Sequence, residues 1–195
     1  MKIPVSEYTV GAVVATDLVN TSPTVRATAG EALTDPGALA GFLAEHGLRL
    51  DAMTDERSPT SDDLHQVCLL RREVRVILET ATEDHAVAGA IVLVRRAGLG
   101  PVLQRDADGR WQWYVPTAPG APLADELATL VGTALLGVVR ALGHERFRPC
   151  AALDCRGVFV DISRPGRRRY CSDLCGNRLN VANHRARLRV GSVAR

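Results

Sequence analysis

Residues 150–175 read CAALDCRGVFVDISRPGRRRYCSDLC, and the four cysteines in this stretch set how the rest of the chain is read. Four residues separate Cys150 from Cys155, three separate Cys171 from Cys175, and fifteen lie between the pairs. Two close pairs divided by a short insert supply two thiolates each to one tetrahedral ion, which is the spacing of a zinc site. The insert predicts a strand over Gly157–Ile162, a turn at Ser163-Arg164-Pro165-Gly166 and a returning strand over Arg167–Tyr170. Ser172 is placed to cap a helix beginning at Asp173, with Cys175 in its first turn. Knuckle, hairpin and helix in this order describe a treble-clef finger. His184 lies nine residues past Cys175, half a turn out of phase at 100° per residue, so it does not join the same ion. Cys150, Cys155, Cys171 and Cys175 therefore close the site around one structural Zn2+ per chain, with no open position for catalysis. A segment this small buries too little core to fold without such a staple.

Charge separates the finger from what precedes it. Residues 144–195 hold twelve arginines against four carboxylates, a net of +8, whereas the whole chain carries only +2 and residues 1–143 are acidic. A strongly basic segment on an acidic body points to a polyanionic partner. On the helix expected from Asp173 to about Arg189, Cys175, Leu179, Ala186 and Val190 follow a stripe toward the zinc. Arg178, Arg185 and Arg189 fall within about 20° of a second line, roughly a quarter turn away. That line spans roughly 16 Å, long enough to follow a groove or a run of phosphates. Arg167, Arg168 and Arg169 add a second basic group, with alternate residues on opposite faces of the expected strand. These six arginines are the candidate nucleic-acid contacts, and DNA is the expected partner. The bland alternative is a solvated basic surface that offsets the negative four-thiolate site. It accounts for Arg156 and one or two others, not for the whole excess.

Upstream, the pattern is mainly helical. Val10–Asn20 reads as a short apolar helix, and Thr21–Thr34 as loop. Asp35-Pro36 starts a helix that buries Leu39, Phe42 and Leu43 and stops at Gly47. Ser61-Asp62-Asp63 caps the next, with Leu64, Cys68, Val74, Ile77 and Leu78 inward and Arg71, Arg72 and Arg75 outward. Asp84–Gly98 fits another. Val102–Val115 changes to a period of two around the turn Asp106-Ala107-Asp108-Gly109, which predicts a β-hairpin. Leu123–Leu142 is the longest apolar helix, closing at Gly143. The fold class expected is α+β: a mainly helical N-terminal domain with a β-hairpin over 1–143, then a small treble-clef-like zinc finger (β-hairpin plus helix) over 144–195.

Several function classes are set aside. No run reaches the ~18 apolar residues of a membrane span, and the N-terminus lacks a signal-peptide pattern, so a cytoplasmic location is expected. An enzyme is not expected: the HNH nucleases built on treble clefs need a hairpin histidine, and none lies between Cys155 and Cys175. The alternative class is a protein-interaction or RNA-binding finger. Leu174, Val181 and Leu188 recur every seven residues and form either core or the seam of a homodimer.

The stretch Cys171-Ser172-Asp173-Leu174-Cys175-Gly176-Asn177-Arg178, preceded by Phe159-Val160-Asp161-Ile162-Ser163-Arg164 and Arg168-Arg169-Tyr170, resembles the CGNR zinc-finger family. Asp17-Leu18-Val19-Asn20-Thr21 resembles the start of the ABATE domain that usually precedes that finger. Two departures stand out: Asn180 occupies a position where many members are basic, and three residues rather than four separate the last two cysteines. The resemblance implies a bacterial stress-induced transcription regulator whose finger binds DNA. A sensor domain would need an effector site; Asp17 and Asn20 are its candidates, although such residues more often cap a helix end or hold a turn.

Overall fold

The computed structural model describes residues 1–25, 30–53 and 57–177. Arg178, Arg185 and Arg189, together with Leu179, Val181, His184, Ala186, Leu188 and Val190, lie outside the described residues.

Helix α5 (Leu123–Leu142) is the centre of the molecule. Its Leu127, Val131, Leu135 and Val138 recur at helical spacing and are wholly buried. Helices α1 (Tyr8–Asn20), α3 (Ser61–Glu79) and α4 (Glu83–Val94) pack around it, and α2 (Pro36–Glu45) leans on α3. Gly11 permits the closest approach, because a Cβ there would stand 2.5 Å from that of Ala134. The helix starts use local chemistry. Asp35 caps α2 through the Ala38 amide, with Pro36 at the first helical position. For α3 the cap is Thr60 rather than Ser61, and Thr60 and Asp63 form a reciprocal capping box. Thr82 caps α4, which runs from Glu83 to Val94, shorter than the Asp84–Gly98 expected.

Strands β2 (Val102–Arg105) and β3 (Trp111–Pro116) form the expected hairpin, with Leu103 opposite Trp113 and Arg105 opposite Trp111. The Asp106 carboxylate closes the turn by accepting the amides of Asp108 and Arg110. A third strand, β1 (Lys2–Pro4), which the sequence pattern did not suggest, pairs antiparallel with β3 to make the order β1-β3-β2.

Burial corrects one expectation on α3. Arg71 faces inward, its side chain only 7 % exposed. Its two terminal nitrogens bind the two Glu31 oxygens at 2.6 and 2.8 Å, and one of them also reaches the Thr21 hydroxyl. Pairing both ends of a carboxylate is what makes a buried guanidinium tolerable, and it pins the loop after α1 to α3. Arg75 is half-buried and Arg72 is exposed. The buried Glu126 is likewise satisfied, accepting from the Ala52 amide and the Thr117 hydroxyl.

The chain then enters a short 3-10 turn and a two-stranded sheet, β4 (Phe147–Pro149) with β5 (Val158–Val160). Phe147, Val158 and Val160 belong to the same hydrophobic core as α1, α3 and α5. The free edge of β5 is covered by α1. Thr16 Oγ1 accepts the Val160 amide at 3.0 Å. The Asn20 side chain takes both polar groups of Val158, accepting from its amide at 3.2 Å and donating to its carbonyl at 2.8 Å. The match is geometric: four residues of helix advance ~6 Å and two residues of strand advance ~6.6 Å. Polar side chains at 16 and 20 thus meet successive outward peptide groups and seal an edge that would otherwise stay open.

Candidate metal centre

Cys150 and Cys155 flank the tight connection between β4 and β5. The Cys150 amide bonds to Gly157 oxygen at 2.8 Å, closing the knuckle. Cys171 and Cys175 bracket the start of a helix whose described residues are 173–177, where the Cys175 amide bonds to Ser172 oxygen. The four Sγ atoms lie within 4.8 Å of one another. Cys171 Sγ is 3.7 Å from both Cys155 Sγ and Cys175 Sγ, too far for disulfides. Four thiolates at ~2.3 Å from one tetrahedral zinc stand ~3.8 Å apart, so the donor set fits that ion. The space is shaped for it as well: a Cβ on Gly157 would lie 2.9 Å from Cys171 Sγ and 3.1 Å from Cys155 Sγ. Backbone amides of Gly157 and Cys171 donate to the sulfurs of Cys155 and Cys150, as a thiolate cluster requires.

Burial pushes the Cys150 thiol above its ordinary range, and burial together with the neighbouring cysteines pushes the Cys171 thiol up as well. Zinc is bound by thiolates, so its binding displaces the protons that burial favours on these two thiols. Phe159, fully buried, floors the cluster.

The structure places the expected returning strand elsewhere. Residues 167–170 are not a strand; the partner of β5 is β4, upstream of the first cysteine. The reason is Asp161, which the sequence reading passed over as a site residue. Its buried carboxylate accepts from the amide and hydroxyl of Ser163 and from the Arg168 amide. Burial raises this carboxyl, but those hydrogen bonds and the Arg148 guanidinium outweigh it and hold it below the usual range. With an Asx-type turn gathered on one carboxylate, the segment curls instead of extending. An Asp two residues before a Ser was the available signal.

The three arginines of this segment are exposed but differ in their commitments. Arg168 donates to the carbonyls of Tyr170 and Cys171 at 2.9 and 2.6 Å and lies 5.2 Å over the Phe159 ring. Arg169 approaches the Tyr170 ring, and its carbonyl accepts the Ala151 amide. Arg167 has no side-chain partner among the described residues. With Ser172, Asp173 and Asn177 the three line a cavity of about 520 Å³ beside the zinc knuckle, three guanidinium groups against one carboxylate.

The CGNR zinc finger profile matches residues 146–188. The ABATE profile, described as "Putative stress-induced transcription regulator", matches residues 12–139. The chain belongs to the ABATE family. Comparison with curated proteins found no match. Neither profile's description names an enzyme. The ABATE match begins inside α1, and the structure shows what its Asn20 does: it ties α1 to the finger through Val158, so its amide is committed to backbone rather than to a ligand. Asp17 pairs with His46 at 3.0 Å at the surface. The two candidates thus point to different partners. No helix among the described residues is long and apolar enough to cross a membrane.

Proposed function

We propose that this ABATE-family chain is a zinc-dependent, DNA-binding transcription regulator of bacterial stress responses, acting in the cytoplasm, with the helical body as its sensing part. The observation that carries the reading is the basic cavity at Arg167, Arg168 and Arg169, set beside the zinc centre in a segment of net +8. Zinc holds that surface in shape, and arginines there neutralise phosphates. In this reading Arg178, Arg185 and Arg189 read base edges while Arg167 to Arg169 hold the backbone. Leu174, 63 % exposed, supports a homodimer that would place two fingers on one duplex.

The test is anisotropy titration of zinc-loaded full-length protein with duplex DNA at several salt concentrations. Affinity is expected to fall with salt, and Arg167→Ala to lower the salt slope by about one unit. Cys171→Ser, which removes the ion, is expected to abolish binding. A zinc-loaded protein with no affinity for duplex DNA at low salt overturns the reading; binding confined to RNA or to an acidic protein would identify the alternative class.

A further inference from the structure

The C-terminal turn of α3 and the zinc knuckle enclose a cleft of about 440 Å³, a volume within the ~300–1,000 Å³ of small-molecule sites. We infer that this cleft binds a small organic carboxylate with an apolar body. The inference does not rest on DNA binding. Leu78, Phe147, Pro149 and Val158 supply apolar walls, and Arg75, Arg156 and Thr80 supply the polar groups.

Arg75 is the anchor. Its side chain is 21 % exposed. One terminal nitrogen donates to Glu79 Oε1 at 2.7 Å and to the Arg156 carbonyl. The other, Nη1, is buried with no acceptor among the described residues. A buried guanidinium donor left unpaired is costly, and a rotation of the partly exposed Arg75 side chain would bring it to an acceptor in the cleft. Two guanidinium groups and one carboxylate line the space, so its balance is positive. A planar guanidinium pairs best with a carboxylate. The apolar walls argue for an organic body rather than a bare inorganic anion.

Cys155, the half-buried zinc ligand, also lines the cleft. A bound molecule therefore touches both the helical body and the metal centre, and filling the cleft braces the knuckle against loss of its ion.

The experiment is calorimetric titration of the zinc-loaded full-length chain with 2-naphthoate, with its neutral amide 2-naphthamide and with inorganic phosphate. The acid is expected to bind at least tenfold tighter than either comparator. Arg75→Gln should weaken the acid tenfold or more and leave the amide unchanged. Glu79→Gln changes an exposed residue and removes the competing carboxylate, so it should tighten the acid several-fold, which a merely structural role would not do. Naphthoate should also slow zinc transfer to a chelator. No binding at millimolar acid, equal affinity for acid and amide, or an affinity untouched by Glu79→Gln overturns the proposal; tighter phosphate than naphthoate overturns the organic ligand class.

Discussion

Asn20 spends its side-chain amide on the peptide groups of Val158, and that fixes what its loss should do. Asn20→Ala leaves an amide and a carbonyl of β5 without partners against a helix, which costs about 1–3 kcal/mol for each buried group left unsatisfied. Asp17→Ala removes a surface pair with His46, with Asp17 half exposed, and should cost less than ~1 kcal/mol. Urea denaturation of the two variants distinguishes them, and equal losses would contradict the assigned roles. Glu31 makes the complementary case in pH. The hydrogen bond from Arg71 holds its carboxyl below the ordinary value, against an opposing push from burial. A depressed carboxylate stabilises the fold above its unfolded pKa of ~4.3, and that contribution is lost as pH falls through the lower folded value. Glu31→Gln should therefore destabilise by about 1–2 kcal/mol at pH 7, at the lower end because Glu31 is partly exposed. The gap from the parent protein should close below about pH 4, read from melting curves across pH.

Within the elements of the finger, the loop from Asp161 to Cys171 holds adjacent arginines with different commitments. Arg168 donates to the carbonyls of Tyr170 and Cys171, so it shapes the approach to a zinc ligand. Arg167 has no such commitment among the described residues. Arg168→Ala is accordingly expected to speed zinc loss to a competing chelator several-fold and to weaken DNA binding with it. Arg167→Ala should weaken the proposed DNA binding alone. Equal zinc retention in the two variants would remove the structural role assigned to Arg168. The finger sheet itself depends on α1: two strands of three residues each are marginal alone, and here the free edge is sealed by Thr16 and Asn20 while both outer residues of β5 sit in the main core.

Across the whole molecule, the core does not stop at Gly143. Phe147, Val158 and Val160 are buried in it, and at ~1.5–3 kcal/mol per buried side chain their removal costs roughly 5–9 kcal/mol. That compares with a total stability of about 5–15 kcal/mol for a typical domain. A fragment ending at Gly143 is thus expected to keep helical circular dichroism but melt at lower temperature and bind a hydrophobic dye. Chelating zinc from the full chain should lower the melting temperature of the helical body too, because zinc binding contributes on the order of 10–16 kcal/mol in finger peptides and holds the knuckle that carries these side chains. Calorimetry showing an unchanged body transition after chelation would separate the two parts energetically.

Local chemistry made much of this legible from residues alone. Cysteine spacing identified the metal ligands, because two close pairs divided by a short insert supply four thiolates to one tetrahedral ion. Period and capping residues located α2, α5 and the Val102–Val115 hairpin, because Asp35-Pro36, a long apolar stripe and an Asp-Gly turn act within a few residues of themselves. Long-range partners were not legible. Arg71 looked like a surface arginine until Glu31 was found beside it, 40 residues away. Asn20 read as a helix-end or turn residue or an effector candidate, and its partner Val158 lies 138 residues away. The strand expected over Arg167–Tyr170 gave way to Phe147–Pro149, because Asp161 curled the segment and the hydrophobic Phe147 gained a place in the main core. Sequence determined which side chains could hold a metal, turn a chain or line a helix. Only the tertiary structure decided which distant peptide group, carboxylate or core each of them would satisfy, since burial makes an unpaired polar group costly wherever its partner lies in the chain.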